Sequence, residues 1–340
     1  MLILALETSC DDSAVALLEN GKVAAEAVAT QMEHGIYGGV VPEIASRLHM
    51  STLPRIIASV MGSAGAVIGD IDVFAATVGP GLTGSLLVGL SWAKAAAWAS
   101  GKPFLGINHL AAHLHIHYGD DPGVVFPAIA LLISGGHTSL FRMDSWDECM
   151  LLGATRDDAV GEAFDKTAKL MGFGYPGGAV IDEIAREGDP FAIDLPSPLS
   201  DPSLPEFSFS GLKTAVRLVW ESGVDSCDLA ASFQRVIVDI LTAKLMHQVL
   251  SSGARTALVA GGVCANTELR KRLEVECSRH PVTLRLPETR YSTDNAVMVG
   301  VAARAVLDRD PDASSSLSCN AFSRWEGDRL TALVSPAGRL

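Results

Sequence analysis

Aromatic side chains are scarce in this chain, at 6% of its residues, and cations are outnumbered, 26 Lys and Arg against 39 Asp and Glu. The resulting formal charge of −13 excludes broad, sequence-independent nucleic-acid binding, because that affinity comes from Lys and Arg neutralising phosphates. Any nucleic-acid partner must be met by a local basic patch or by a helper subunit. Paired-cysteine spacing is missing too: Cys10, Cys149, Cys227, Cys264, Cys277 and Cys319 form no CxxC. That pattern speaks for reduced thiols and against a disulfide framework or a zinc knuckle. No apolar run reaches the ~18 residues of a membrane-spanning helix. The opening Met1-Leu2-Ile3-Leu4 has neither a basic flank nor a cleavage site, so the expectation is a soluble, cytoplasmic protein with no membrane partner.

What is present is length, glycine and apolar residues. With 340 residues, 32 of them Gly and 48% of them hydrophobic, the chain suits a two-domain α/β protein whose strands are apolar runs between Gly turns. The order of those runs repeats. Residues 2–6, 13–18 and 22–27 predict three strands, the first two joined by Thr8-Ser9-Cys10-Asp11-Asp12, and residues 128–133, 139–143 and 148–152 predict the same arrangement around Ser134-Gly135-Gly136-His137-Thr138. Each trio is followed by a strand, a Gly turn and a helix: residues 73–78 with Gly79-Pro80-Gly81, then residues 256–260 with Gly261-Gly262-Val263. A third unit leads from residues 104–107 into a helix at His109, and from 282–286 into one near Asp294. The repeat is one of structure rather than of residues. It sets expected domains at 1–125, with 303–325 packing back on it, and at 126–302, with a mostly helical insertion over 154–252. Pro196, Pro198, Pro202 and Pro205 mark a long loop inside that insertion, and the stretch after Pro311, ending in a tail over 326–340, reads as loosely ordered.

Candidate chemistry sits at the ends of these strands, where open α/β folds place ligands. His109 and His113 stand four apart on one helix face, and a distant carboxylate, Asp294, can complete a facial metal site with open positions. Taken alone, four histidines between His109 and His117 also describe a merely polar helix face. What raises the metal reading is the repeat, which sets the His pair and Asp294 at equivalent helix starts and so brings them together across a cleft. The Ser134–Thr138 turn offers bare backbone N–H groups to a phosphate, or is an ordinary β-turn. Asn266, beyond Gly261 and Gly262, either hydrogen-bonds an adenine or caps the next helix.

These motifs, taken together, resemble one family. Glu7-Thr8-Ser9-Cys10-Asp11, Gly38-Gly39-Val40-Val41-Pro42-Glu43 with Ser46, Arg47 and His49, Gly79-Pro80-Gly81-Leu82, His109 with His113, Ser134 to Thr138, Gly161-Glu162-Ala163-Phe164-Asp165-Lys166, Phe207-Ser208-Phe209-Ser210-Gly211-Leu212-Lys213, Gly261-Gly262-Val263 with Asn266, and Thr293-Asp294-Asn295 run in order. They resemble the TsaD family, tRNA threonylcarbamoyladenosine transferases once described as glycoproteases, in its bacterial or organellar branch. The resemblance implies the actin-like ATPase fold. It implies transfer of a threonylcarbamoyl group from threonylcarbamoyl-AMP to the exocyclic amine of the adenosine beside the anticodon in tRNAs reading ANN codons. It implies metal ligands at His109, His113 and Asp294 for one divalent ion, Fe(2+) favoured with Zn(2+) as the other fit. Substrate contacts fall on Ile133, Ser134, Gly135, Gly136, His137, Asp165, Gly178, Asp182 and Asn266. Glu7 and Asp11 are candidates for ordering water or accepting a proton, or else cap their turn. Implied partners are tRNA, a TsaB-like paralogue, a TsaE-like ATPase and a TsaC-like enzyme supplying the adenylate. The tRNA footprint is expected at Lys166, Lys169, Lys213, Arg217 and Arg235, and the paralogue on helices around 43–57 and 86–99. Asn108 stands where relatives commonly carry a further histidine, and Ala179 where proline is frequent.

Three other classes compete. A metalloprotease needs a general base beside its His pair, whereas Leu110 and Ala111 follow His109. An ATP-dependent small-metabolite kinase of the same fold would hold magnesium, for which imidazoles are poor ligands. A non-catalytic nucleotide-binding paralogue would have lost the metal residues, and this chain keeps them.

Overall fold

The first strand is apolar without alternation because helices cover both of its faces. A computed structural model describes residues 1–37, 39–120 and 123–334, so Gly38 of the motif above and residues 335–340 of the expected tail lie outside the described residues. Strands β1 (Leu2–Glu7), β2 (Asp12–Glu19) and β3 (Lys22–Thr30) form an antiparallel meander. Beside β1 run β4 (Val73–Gly79) and β5 (Phe104–Asn108), both parallel to it, giving the order β3-β2-β1-β4-β5. Leu4, Leu6, Val15 and Leu17 pack with residues of α1 (Pro42–Ala64) and α2 (Thr83–Ser100). The opposite face takes α9 (Ala296–Arg309). Gly300 lets that helix approach closely: a Cβ there would press into Leu18 and Ala5.

The second sheet repeats the plan. Strands β6 (Ala128–Ile133), β7 (Thr138–Met143) and β8 (Cys149–Ala154) are antiparallel, and β9 (Thr256–Ala260) and β10 (Thr283–Arg285) run parallel beside β6, in the order β10-β9-β6-β7-β8. The insertion between β8 and β9 carries α4 (Val160–Leu170), α5 (Gly177–Ile184), α6 (Ser210–Glu221) and the long α7 (Ser226–Ser252). Its buried residues, among them Phe164, Phe207, Phe209 and Phe233, share a core with Ile129, Leu131 and Ile133 of β6. Lys244, fully buried on α7, is satisfied by donating to the carbonyls of Asp201 and Leu204 in the proline-rich loop. α8 (Thr267–Ser278) links β9 to β10.

Two compact units emerge. One holds Met1–Gly123, Trp146–Glu148 and the chain from Asp294 onward; the other holds Val124–Ser145 and Cys149–Thr293. The stretch after Pro311 has little regular structure but is not loose. The Ser315 N–H donates to the Phe104 carbonyl, Phe322 to Val78 and Val334 to Gly106, while the Asn108 N–H donates to the Ala332 carbonyl, at 2.7–3.0 Å. Backbone groups at the β4–β5 edge of the first sheet thus find partners in the C-terminal segment, which is what orders it. Among the described residues, no helix is long and apolar enough to cross a membrane.

Candidate metal centre and glycine turn

At the end of β5 the Asn108 side-chain oxygen accepts from the N–H groups of Leu110 and Ala111, at 2.9 and 3.2 Å. This cap starts α3 (His109–His115) and places His109 and His113 on one helix face. Asp294 lies just before Asn295, whose side chain accepts from the Met298 N–H and caps α9. His113 Nε2 is 3.2 Å and His109 Nε2 3.7 Å from Asp294 Oδ1. One ligand atom from each of the three residues lies within 4.8 Å of the others. All three belong to the first unit. The two imidazoles are buried, while the Asp294 side chain keeps 21% of its surface open.

The surroundings suit a metal. His109 Nδ1 faces Glu7 Oε2 at 3.1 Å and Ser9 Oγ at 3.3 Å, which leaves Nε2 directed toward the carboxylate of Asp294. Backing a ligand histidine with a carboxylate fixes its tautomer and ring orientation. Glu7 itself is fully buried, and both of its oxygens are used: Oε1 accepts from the Ser9 N–H at 2.6 Å, and Oε2 from Thr77 Oγ1 at 2.5 Å as well as from His109. Burial alone would neutralise both groups. The charge of Glu7, then that of Asp294, outweighs burial and lifts His109 to a pKa of about 9. Burial likewise opposes the Glu7 charge, but the His109 cation and its hydrogen bond hold Glu7 below the usual carboxylate value. A cation, whether a proton or a metal, is therefore favoured between these carboxylates. Asp11, buried in the turn after β1, hydrogen-bonds the Cys10 side chain. The Cys10 carbonyl in turn accepts from His49 Nε2 at 2.9 Å, and His49 Nδ1 meets Ser13 Oγ at 2.7 Å. Thr77, His49 and Ser13 carry no spacing signal of their own in the sequence, although His49 lies within a family motif.

The remaining candidate residues gather in the second unit. Ser134 to His137 form the β6–β7 turn, closed by a 2.8 Å bond from the Ser134 N–H to the His137 carbonyl. Gly135 and Gly136 are exposed, and a Cβ on either would meet nothing within 4 Å. Around the turn, other glycines are packed tight. Gly261, at φ +97°, abuts the backbone of Ile133, and Gly161 at the start of α4 abuts Ser134 and Gly135. Asp165 Oδ1 accepts from the Gly177 N–H at 2.8 Å, one residue before Gly178. Asp182 accepts from Thr267 N and Oγ1, at 3.2 and 3.0 Å. Asn266 does cap α8, accepting from the Leu269 N–H at 2.9 Å, while its amide donates to Gln234. Turn β6–β7, α4, α5 and the start of α8 thus bring the nine residues implied as substrate contacts into one unit. Lys166, Lys213 and Arg217 of the expected footprint line a common cleft between α4 and α6. Arg235 does not join them there: it pairs with Asp239, donates to the Pro190 carbonyl and lies over the Phe191 ring.

Comparisons with known proteins converge on one family. The family described as TsaD, tRNA N6-adenosine threonylcarbamoyltransferase, matches residues 22–301. The tRNA N6-adenosine threonylcarbamoyltransferase of Syntrophobacter fumaroxidans is 44% identical over 338 residues, covering 96% of this chain and all of that relative. Among solved structures, HypF from T. kodakarensis superposes with a TM-score of 0.60 at 13% identity, over 91% of this chain and 48% of that one. Component A of the (R)-2-hydroxyglutaryl-CoA dehydratase of Acidaminococcus fermentans gives 0.55 at 14% identity, over 88% and 96%. At that identity the likeness is one of fold, and the fold is the actin-like ATPase fold that the family resemblance implies.

Proposed function

The chain belongs to the TsaD family of tRNA N6-adenosine threonylcarbamoyltransferases, and from that premise we propose that it moves the threonylcarbamoyl group of threonylcarbamoyl-AMP onto tRNA. The acceptor is the exocyclic amine of the adenosine 3′ to the anticodon in tRNAs reading ANN codons. The amine nitrogen bonds to the carbamoyl carbon, the bond from that carbon to the phosphate oxygen breaks, the amine gives up a proton and AMP leaves with the electron pair.

The observation that carries this reading is the group His109, His113 and Asp294, its two imidazoles buried and Glu7 behind them. Two imidazoles and one carboxylate fit an iron(II) site with open positions, and a divalent ion held there supplies a Lewis acid and a fixed positive charge for the threonylcarbamoyl oxygens. Glu7, with both oxygens engaged, orients His109 rather than taking the amine's proton. Asp11 is left as the candidate to order water or accept that proton. The β6–β7 turn, exposed at Gly135 and Gly136, presents backbone N–H groups for the adenylate phosphate. Asp165 and Asp182 suit ribose hydroxyls, Gly178 at the start of α5 leaves the substrate room, and Asn266 with Gly261 suits adenine. Substrate binding there exchanges hydrogen bonds that these side chains already make within the protein.

A cytoplasmic protein working with a TsaB-like paralogue, a TsaE-like ATPase and a TsaC-like source of the adenylate completes the proposal. Met50, Leu87 and Trp98, apolar yet 66%, 46% and 76% exposed on α1 and α2, support placing the paralogue on those helices. One assay tests the reading. Protein supplied with those partners, threonylcarbamoyl-AMP and unmodified tRNA should release AMP in step with modified adenosine, stop on chelation and resume with iron(II). AMP release without modified nucleoside, or phosphorylation of a small metabolite at the expense of ATP, overturns it; recovery with zinc alone overturns the choice of iron.

A further inference from the structure

The second unit holds a cluster of cations that the chemistry above does not use. Lys166 and Leu170 from α4, with Lys213, Thr214 and Arg217 from α6, line a cleft of about 220 Å³. The spacing on each helix, four residues from 166 to 170 and from 213 to 217, explains why these side chains share one side. Two of the cations are braced. Asp158, just ahead of α4, accepts from Lys166 Nζ through Oδ1 at 2.8 Å and from Lys213 Nζ through Oδ2 at 2.5 Å. Glu162 adds a second partner for Lys166 at 2.6 Å. These hydrogen bonds raise the Lys166 pKa, keeping it charged at any physiological pH. The third cation is unspent: Arg217 is exposed and makes no ion pair among the described residues.

Lys166 pairs with Asp158 and Glu162 and Lys213 with Asp158, so the three lining cations outnumber the two carboxylates that brace them and the cleft keeps a positive charge in a chain whose net charge is −13. Its volume falls below the ~300–1,000 Å³ of sites that enclose a small molecule. It is sized for a charged group presented by something larger. Lysines held at fixed positions lose little entropy on meeting an anion, and a free guanidinium can bond two phosphate oxygens at once. Leu170 and the arginine stem add an apolar wall against which a sugar can rest. Lys166 also directly follows Asp165, so the cleft shares a helix with a residue of the proposed substrate site.

We infer that this α4–α6 cleft takes a backbone phosphate of the tRNA, gripped by Arg217 beside the fixed ammonium groups of Lys166 and Lys213. The inference rests on the transferase reading and adds to it where on the second unit the nucleic acid is held. In a chain of net charge −13, such phosphate contacts are the chain's own electrostatic contribution to tRNA affinity, and that contribution must fall with salt.

The test uses the full chain with its partner proteins and measures unmodified tRNA binding across a salt series, for the wild type and for Arg217→Glu and Arg217→Gln. Loss of one phosphate contact should lower the slope of log affinity against log salt by roughly 0.7–0.9. Arg217→Glu should weaken binding by about tenfold or more at low salt, since it places a like charge against the phosphate. Metal content and affinity for threonylcarbamoyl-AMP should match the wild type in both variants. Unchanged tRNA affinity and slope in both variants overturn the inference, as does a loss of threonylcarbamoyl-AMP binding in place of tRNA binding. In either case, wild-type protein that still modifies tRNA leaves the transferase reading standing. A wild type that neither binds nor modifies tRNA sinks that reading and this inference together.

Discussion

The two clusters of candidate residues are built in opposite ways. Around His109, every polar atom named above is wired: Glu7 to Ser9, Thr77 and His109, and His113 to Asp294, inside a buried pocket of charge. At the β6–β7 turn, Gly135 and Gly136 face open space, and the rigid parts lie behind them, where Gly161 and Gly261 press on the turn's backbone. A metal site needs its ligands held before the ion arrives, so the surrounding shell is spent on orientation. A site for a substrate that must enter and leave needs a firm backing and a bare front.

Breaking the wired cluster should have the largest effect. Removing a ligand, as in His113→Ala or Asp294→Ala, should strip the metal and abolish transfer, a loss greater than the ~10–100-fold of a change behind the ligands. Metal analysis of the purified variants checks it, and stoichiometric metal in both would place the ion elsewhere. Glu7→Gln keeps the shape but not the charge that favours a cation at His109. Metal affinity should fall by about 10–100-fold with the fold retained, measured by competition with a chelator.

A pH effect of intermediate size comes from the same helix. His115 is fully buried, donates from Nδ1 to the Ala111 carbonyl at 2.8 Å, and is pushed by burial from its ordinary 6.5 down to a pKa of about 4. The unfolded chain therefore takes up a proton first as pH falls. Stability should be full above about pH 6.5 and decline toward pH 4, by on the order of 3 kcal/mol, with no further loss from this group below that. Urea unfolding at several pH values reads this. In His115→Gln the decline over that window should flatten, and an unaltered profile would assign it to other groups.

The glycines sharpen the contrast at smaller scale. Gly261→Ala forces a side chain into the Ile133 backbone at a left-handed φ and should cost about 1–3 kcal/mol. Gly136→Leu should change stability by no more than ~0.5 kcal/mol while weakening threonylcarbamoyl-AMP binding, read by calorimetry. Equal effects of the two substitutions on stability would erase the distinction between backing and front.

Much of this was legible in the chain. Residues 2–6 and 128–133 read as buried strands because they are unbroken apolar runs, and β1 and β6 fall there. The Gly161 helix start and the helix beyond Asn266 were marked by glycine and by an amide cap. Less was legible where contacts are long in sequence. Nothing near Thr77 shows that its hydroxyl supports a carboxylate 70 residues away. The Ser- and Asp-rich stretch after Pro311 reads as loose because its composition is polar. It is ordered by backbone bonds to β4 and β5, and such bonds leave no trace in side-chain type.

The sequence by itself determined which residues share a face: a helical period of 3.6 sets His109 beside His113 and Lys213 beside Arg217, and the period of two sets the faces of the strands. The ordered motifs fixed the family. Only the tertiary structure decided that Asp294, 181 residues beyond His113, belongs to the same unit as the histidines. The repeat in the sequence assigns the Asp294 helix to the second half of the chain. Packing assigns it to the first sheet, because Gly300 lets α9 lie against Ala5 and Leu18, and that close approach carries the carboxylate to the two imidazoles.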